Sequence, residues 1–425
     1  MTALDPSEMW TDTARKAAHR ERIGRMLPAV LRSNPFYRAK LGPNASADSW
    51  SELPFTMKHE LSADQAAHPP FGTNLTEPLD RYTRLHQTSG TTGKPLRLLD
   101  TAESWEWWKE TWRFVYRSAG VTAADRVLFC FSFGPFIGFW SAFAGAEHIG
   151  AMAISGGAMS TAERVSAIVT TQATVLVSTP TYALRLAETA DAEGIDLRHS
   201  ALRVTVHAGE PGASIPATRA RIEEAFGASA FDHTGATEVG PTGFSCAARD
   251  GVHLIEREFV AEILTANGAV ADEGDGELVL TNLGRWSSPA IRYRTGDRVR
   301  AVRAACVCGR TLVKLVGGIQ GRVDDMVTVR GVNVFPSALE GIVRRFDDVV
   351  EFRIEAYTER GMDELRCTIE PRAGVDGAGL ARAVGDAIHR DIGVRAALDV
   401  VEPGGLPRFE LKARRFTRRR EVETV

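Results

Sequence analysis

Residues 87–95 read Gln87-Thr88-Ser89-Gly90-Thr91-Thr92-Gly93-Lys94-Pro95, a run of small residues, hydroxyls and glycines carrying one lysine. Gly90 and Gly93 let the backbone turn so that successive N–H groups face a common point. Ser89, Thr91 and Thr92 add hydroxyl donors, and Lys94 adds a mobile positive charge. This chemistry suits a polyphosphate that must be held and then released. The spacing is not that of the common G-x-x-x-x-G-K-[ST] loop, and a proline follows the lysine. Composition alone reads equally well as a Ser/Thr/Gly surface loop.

Two further sets of residue types stand out. Six residues separate Cys246 from His253, one separates Cys306 from Cys308, and Gly309 follows. Three thiolates and an imidazole form a standard tetrahedral zinc set, although these spacings are looser than a zinc finger's. Unrelated buried thiols are the competing reading, since free cysteine is commonly buried. The second set is the aromatic run Phe131-Ser132-Phe133-Gly134-Pro135-Phe136-Ile137-Gly138-Phe139-Trp140. Such stripes are more often core than pocket. Here Gly134-Pro135 and Gly138 break the run, which favours a loop lining a cavity.

The elements that must position these residues follow from periodicity. Helical spacing runs over residues 8–41 and stops near Gly42-Pro43, and a tryptophan-rich helix over 101–118 follows the glycine loop. Apolar strand-like runs at 126–131, 150–155, 174–178 and 202–206 alternate with helices near 138–149, 161–171, 181–193 and 214–226. That alternation indicates a parallel sheet built from βαβ units. Between 252 and 304 shorter strands divided by turns suggest an antiparallel, barrel-like subdomain. Beyond Arg322 the pattern is a small α+β unit, with helices near 336–346 and 378–391 and strands near 350–356 and 364–370. The expected domains are residues 1–322 and 323–425.

Composition narrows the class. At 425 residues the chain exceeds what one core usually holds. A formal net charge of −3 argues against a general nucleic-acid binder. No apolar run reaches membrane-spanning length, and an N-terminus carrying Asp5, Glu8 and Asp12 does not read as a signal peptide. Five cysteines in so long a chain are not a secreted disulfide framework. A cytoplasmic protein with no membrane partner is expected.

Several motifs, in this order, resemble those of the adenylate-forming enzymes, and within them the phenylacetate–CoA ligase family. They are Asn34-Pro35-Phe36-Tyr37-Arg38, Leu53-Pro54-Phe55-Thr56-Met57-Lys58, the 88–95 loop, Gly209-Glu210-Pro211 and Thr234-Gly235-Ala236-Thr237-Glu238. Tyr293-Arg294-Thr295-Gly296-Asp297, Gly321-Arg322-Val323-Asp324-Asp325-Met326 and Leu406-Pro407-Arg408-Phe409-Glu410-Leu411-Lys412 complete the series. The resemblance implies an α/β adenylate-forming fold, with a large N-terminal domain and a small mobile C-terminal domain. It also implies ATP-dependent ligation of an aryl or heteroaryl acid through an acyl-adenylate. Coenzyme A is the implied acceptor; the alternatives are a carrier-protein phosphopantetheine or a reaction ending at the adenylate. A homodimer is implied by the resemblance alone.

Carried over residue by residue, Ser89–Lys94 would hold the β- and γ-phosphates of ATP, with Thr92 among the catalytic groups. Glu238 would carry Mg²⁺ bridging phosphate oxygens as pyrophosphate leaves; otherwise it is an exposed loop glutamate. Asp297 would accept hydrogen bonds from both ribose hydroxyls, a task suited to an acceptor-only group, and Arg322 would contact ribose or phosphate. Gly209, Glu210, Pro211, Asp232, His233, Thr234 and Thr237 would surround the nucleotide. The family usually has tyrosine where this chain has Thr234, so His233 or Phe231 takes over part of the adenine stacking. Phe131, Phe136, Ile137, Trp140, His207, Ala208 and Gly235 would line the acyl pocket, although His207 reads equally as a satisfied core histidine. Asp324 would be the hinge, and Lys412 would offset charge as the carboxylate attacks the α-phosphate. Some relatives share the Cys246, His253, Cys306, Cys308 pattern, which supports a structural zinc.

Overall fold

Four short runs of aliphatic and β-branched residues, Arg126–Phe129, Met152–Ser155, Val175–Ser178 and Val204–His207, form neighbouring parallel strands. In the computed structural model, which describes residues 4–88, 95–323, 326–330, 332–359, 362–409 and 415–419, helices connect them as βαβ units. The helix starts are set locally. Ser160 and Glu163 form a capping box for Thr161–Thr170, and Thr179 caps Pro180–Ala192 with a proline in the first turn.

A fifth parallel strand, Ser229–Ala236, pairs with Val204–His207 on one side. On its other side it pairs antiparallel with Gly240–Phe244. Hydrogen bonding continues from there through Gly251–Leu254, Lys314–Val316, Tyr293–Val302, Gly274–Asn282 and Phe259–Leu264. The antiparallel segment expected at 252–304 is therefore continuous with the parallel strands in one thirteen-stranded sheet. The join escapes a hydrophobicity reading because Gly240-Pro241-Thr242-Gly243-Phe244 has no alternating pattern.

The tryptophan helix Ala102–Ser118 is core rather than surface: Trp105, Trp107, Trp108 and Trp112 are all buried. It packs on Ile137–His148 at Gly145, where an added Cβ would lie 2.4 Å from the Trp112 Cβ. At the N-terminus the expected long helix is broken at Asn34-Pro35 into Asp12–Ser33 and Pro35–Leu41, with the Asn34 side chain capping the second at the Tyr37 N–H (3.0 Å). No helix among the described residues is long and apolar enough to cross a membrane.

Residues 327–419 build a second core around their own sheet. Val349–Glu359 and Met362–Pro371 pair antiparallel, with Ala396–Val400 and Phe416–Arg419 added parallel at the two edges. Helices Pro336–Val343 and Gly377–Ile392 contribute to this core. Two arginines join it to helix Pro180–Ala192. Arg408 spans Glu370 (2.7 Å) and Glu188 (3.2 Å), and Arg415 donates to Thr181 Oγ1 (2.9 Å) while paired with Glu351.

Candidate active site

The glycine loop connects two antiparallel strands, Tyr82–Gln87 and Arg97–Thr101. Ser89, Gly90, Thr91, Thr92, Gly93 and Lys94 lie outside the described residues, as do Asp324 and Lys412. At the neck of the loop, Thr88 N–H donates to the Leu96 carbonyl (3.0 Å), and Leu96 N–H donates to Thr88 Oγ1 (3.0 Å). The two ends of the loop are thereby held together.

Glu238 sits in the tight turn between Ser229–Ala236 and Gly240–Phe244, closed by Val239 N–H on the Ala236 carbonyl (3.1 Å). The side chain is buried rather than exposed, and Lys58 Nζ lies 3.0 Å from its Oε1. The Tyr293 phenol is bonded to the same carboxylate; burial, reinforced by that negative charge, holds its pKa well above the usual value, so it remains a proton donor. One carboxylate backed by fixed donors fits Mg²⁺, which usually takes one or two protein carboxylates and completes its shell with phosphates and water.

Strand register brings Asp297 and Arg322 face to face. Arg322 Nη1 lies 3.2 Å from Asp297 Oδ1 and also donates to the Thr295 carbonyl (3.1 Å). Gly296, at φ +76°, lets this guanidinium lie across the strand: an added Cβ would fall 2.5 Å from Arg322 Nη2. Asp297 follows Tyr293 on one strand, and with Arg322 it acts electrostatically on that phenol.

On the proposed adenine side, Gly209 adopts φ +95° and Glu210 Oε1 accepts from Thr181 N–H (2.9 Å), with Pro211 following. Asp232 is buried beneath Gly318, accepts from the Ser214 hydroxyl, and burial pushes its carboxyl up to about 7. Thr234, in the family's tyrosine position, turns its hydroxyl to Thr242 Oγ1 (3.0 Å). His233 and Phe231, the expected stacking partners, are buried on the face opposite Thr234. Side chains alternate along a strand, and these two face the core. His233 rests 4.3 Å from the Trp112 ring with Nδ1 on the Gly243 carbonyl (2.7 Å), and burial lowers its pKa to about 4. Phe231 belongs to the main apolar cluster.

The acyl-pocket residues divide. Phe131 stacks on Phe139 at 3.9 Å and Ile137 is enclosed, so both are core. His207 is also core: it is fully buried, with Nε2 on Thr205 Oγ1 (2.8 Å) and Nδ1 on Ser178 Oγ (3.4 Å). Phe136 is half-buried, Trp140 is 41% exposed with its indole N–H on the Gly134 carbonyl (2.9 Å), and Gln87 N–H donates to the Pro135 carbonyl (2.9 Å). That last bond ties the aromatic loop to the strand entering the glycine loop. Ala208 is half-buried; Gly235 is exposed, and a Cβ there would meet the Gly240 carbonyl at 2.9 Å. Phe136→Ala is expected to raise KM for a flat aryl acid by about tenfold to a hundredfold and leave KM for ATP unchanged. Initial rates over a substrate panel check this, and unaltered acid selectivity would return Phe136 to the core.

Cys246, His253, Cys306 and Cys308 converge, with their ligand atoms all within 4.8 Å of one another. Cys246 Sγ is 3.7 Å from Cys306 Sγ, and Cys308 Sγ is 3.6 Å from His253 Nε2. A zinc ion about 2.3 Å from sulfur and about 2.0 Å from nitrogen places tetrahedral neighbours roughly 3.5–3.8 Å apart, so the set fits the ion. The Leu312 carbonyl near His253 Nδ1 (3.3 Å) orients the ring with Nε2 toward the sulfurs. Burial lowers the pKa of His253 to about 4, which keeps the imidazole neutral and able to ligate.

Sequence reading missed the roles of Lys58 and Tyr293, although both stand within quoted motifs. It missed altogether that Asp100 and Arg285 form a buried ion pair, 2.6 Å apart; neither stands in a motif.

Residues 331–420 match the AMP-binding enzyme C-terminal domain family. The chain is 30% identical to the phenylacetate-coenzyme A ligase of Aromatoleum evansii, over 99% of this chain and 98% of that protein. It is 31% identical to the phenylacetate-coenzyme A ligase of Pseudomonas putida, over 87% and 85%. A 2-hydroxyisobutyryl-CoA ligase in the postadenylation state with 2-HIB-AMP matches with a TM-score of 0.92 and 29% identity, covering 99% of this chain and 95% of that one. The same ligase with CoA in the thioesterification state covers the same shares, with 31% identity and a TM-score of 0.73. The arrangement seen here is therefore closer to the relative's postadenylation state.

Proposed function

Because the chain belongs to the phenylacetate–coenzyme A ligase family of adenylate-forming enzymes, we propose that it joins an aryl or heteroaryl acid to coenzyme A in two half-reactions. In the first, the carboxylate attacks the α-phosphorus of ATP, giving acyl-adenylate and pyrophosphate. In the second, the coenzyme A thiol attacks the acyl carbon, giving the thioester and AMP. The observation that carries this reading is Glu238 held by Lys58 and Tyr293, with Asp297 on the strand that carries Tyr293 and paired with Arg322. A metal carboxylate and a ribose acceptor then face one nucleotide.

In this reading Ser89–Lys94 hold the terminal phosphates, and Asp297 accepts from the ribose hydroxyls with Arg322 alongside. Gly209, Glu210, Pro211, Asp232, Thr234 and Thr237 border the nucleotide. Mg²⁺ held by Glu238 would offset charge on the departing pyrophosphate. Tyr293 and Lys58 hold that carboxylate in place. Residues 323–425 form the mobile domain, turning at Asp324, and Lys412 serves the first half-reaction. Zinc held by Cys246, His253, Cys306 and Cys308 would brace strand Gly251–Leu254 against the segments holding the cysteines and take no part in chemistry.

An aryl acid is favoured by the half-open aromatic segment around Phe136 and Trp140. Product analysis tests the reading: purified protein with ATP, Mg²⁺ and a panel of aryl acids should release pyrophosphate, and acyl-CoA should form when coenzyme A is added. Adenylate that persists in the presence of coenzyme A but is consumed by a carrier protein would transfer the acceptor role to that protein.

A further inference from the structure

We propose that Arg285 is a positioning residue for the metal–nucleotide step, acting through the backbone of Thr237 and Glu238; this rests on the reading of Glu238 as the metal carboxylate. Arg285 and Asp100 are both fully enclosed. Arg285 Nε and Nη2 donate to the two carboxylate oxygens of Asp100 (2.7 and 2.6 Å), a bidentate fork. Nη1 donates to the Thr237 carbonyl (2.8 Å) and the Glu238 carbonyl (3.3 Å). Trp108 fixes the anchor, with its indole N–H on Asp100 Oδ1 (3.2 Å).

The placement gives this network its use. Asp100 lies on Arg97–Thr101, the strand that leaves the glycine loop, and Glu238 lies in the turn between the parallel and antiparallel strands. One guanidinium thus joins the strand leaving the phosphate loop to the turn that presents the metal carboxylate. Stability alone explains it poorly, because a buried ion pair is often replaceable by apolar packing of similar volume at no loss. Lysine could neutralise Asp100 but lacks the planar fork that serves a carboxylate and two carbonyls together.

Arg285→Lys tests the assignment by calorimetry of nucleotide binding with Mg²⁺ and with EDTA. Affinity for MgATP should fall about tenfold or more, while metal-free ATP binds as in the native protein. Conversion of supplied acyl-adenylate to thioester should persist. A folded Arg285→Lys protein that binds MgATP normally would overturn the proposal. If that variant does not fold, Asp100→Leu with Arg285→Met replaces the pair by apolar groups and is read in the same way. Failure of both to fold would make the pair purely structural and equally overturn it. Glu238→Gln separates the two claims. Normal MgATP binding by that variant removes the metal reading itself. Loss in Glu238→Gln with none in the Arg285 variants removes only the role of Arg285.

Discussion

Lys412→Ala is expected to lose acid-dependent pyrophosphate release by about two to three orders of magnitude, the usual consequence of removing one donor aimed at developing charge. Attack of a carboxylate on the α-phosphate brings two anions together and builds further charge on the phosphorane oxygens. A lysine between acyl and phosphoryl oxygens offsets that charge where it appears. Displacement of AMP by a thiol has no such step. The same variant should therefore convert supplied acyl-adenylate and coenzyme A to thioester at near-native rate. Pyrophosphate release and thioester formation, measured separately, check this division. Equal loss in both would remove Lys412 from the adenylation role.

The second large effect concerns the cysteine–histidine cluster. Purified protein should carry about one zinc per chain by elemental analysis, and Cys306→Ser should lose most of it together with several degrees of Tm. The cluster joins strand Gly251–Leu254, through His253, to the segments holding Cys246 and the Cys306–Cys308 pair. Burial pushes the Cys246 thiol up to about 12, so an ion that binds its thiolate must work against that burial. Chelation should reproduce the loss in the native protein and add nothing in Cys306→Ser. Metal-free protein of native stability would return these residues to ordinary buried thiols.

Much of this was legible in the sequence because it is written in local periodicity. The runs at 126–131, 174–178 and 202–206 are strands between helices because their aliphatic residues must be covered on both faces. Asp297 and Arg322 were readable as separate motif residues, and strand pairing brings them together. The core placement of His233, Phe231, Phe131 and Ile137 was not legible, whereas His207 already admitted a core reading. A motif names positions, whereas the face a side chain takes depends on the strand or helix it joins. Asp100 and Arg285, 185 residues apart, left no trace, because only the completed core brings them into contact.

Strand Ser229–Ala236 gives its register a double burden. Phe231 and His233 point into the core, while Asp232 and Thr234 point the other way. A shift of one residue exchanges these faces, placing a carboxylate and a hydroxyl in the apolar layer and two rings where Asp232 meets Ser214 and Thr234 meets Thr242. The segment therefore behaves as a reading frame: core packing and the hydrogen bonds of Asp232 and Thr234 share one phase, and a single-residue insertion there corrupts both at once. The same insertion in the turn at Thr265–Gly268, which is not packed on both sides, leaves that phase intact.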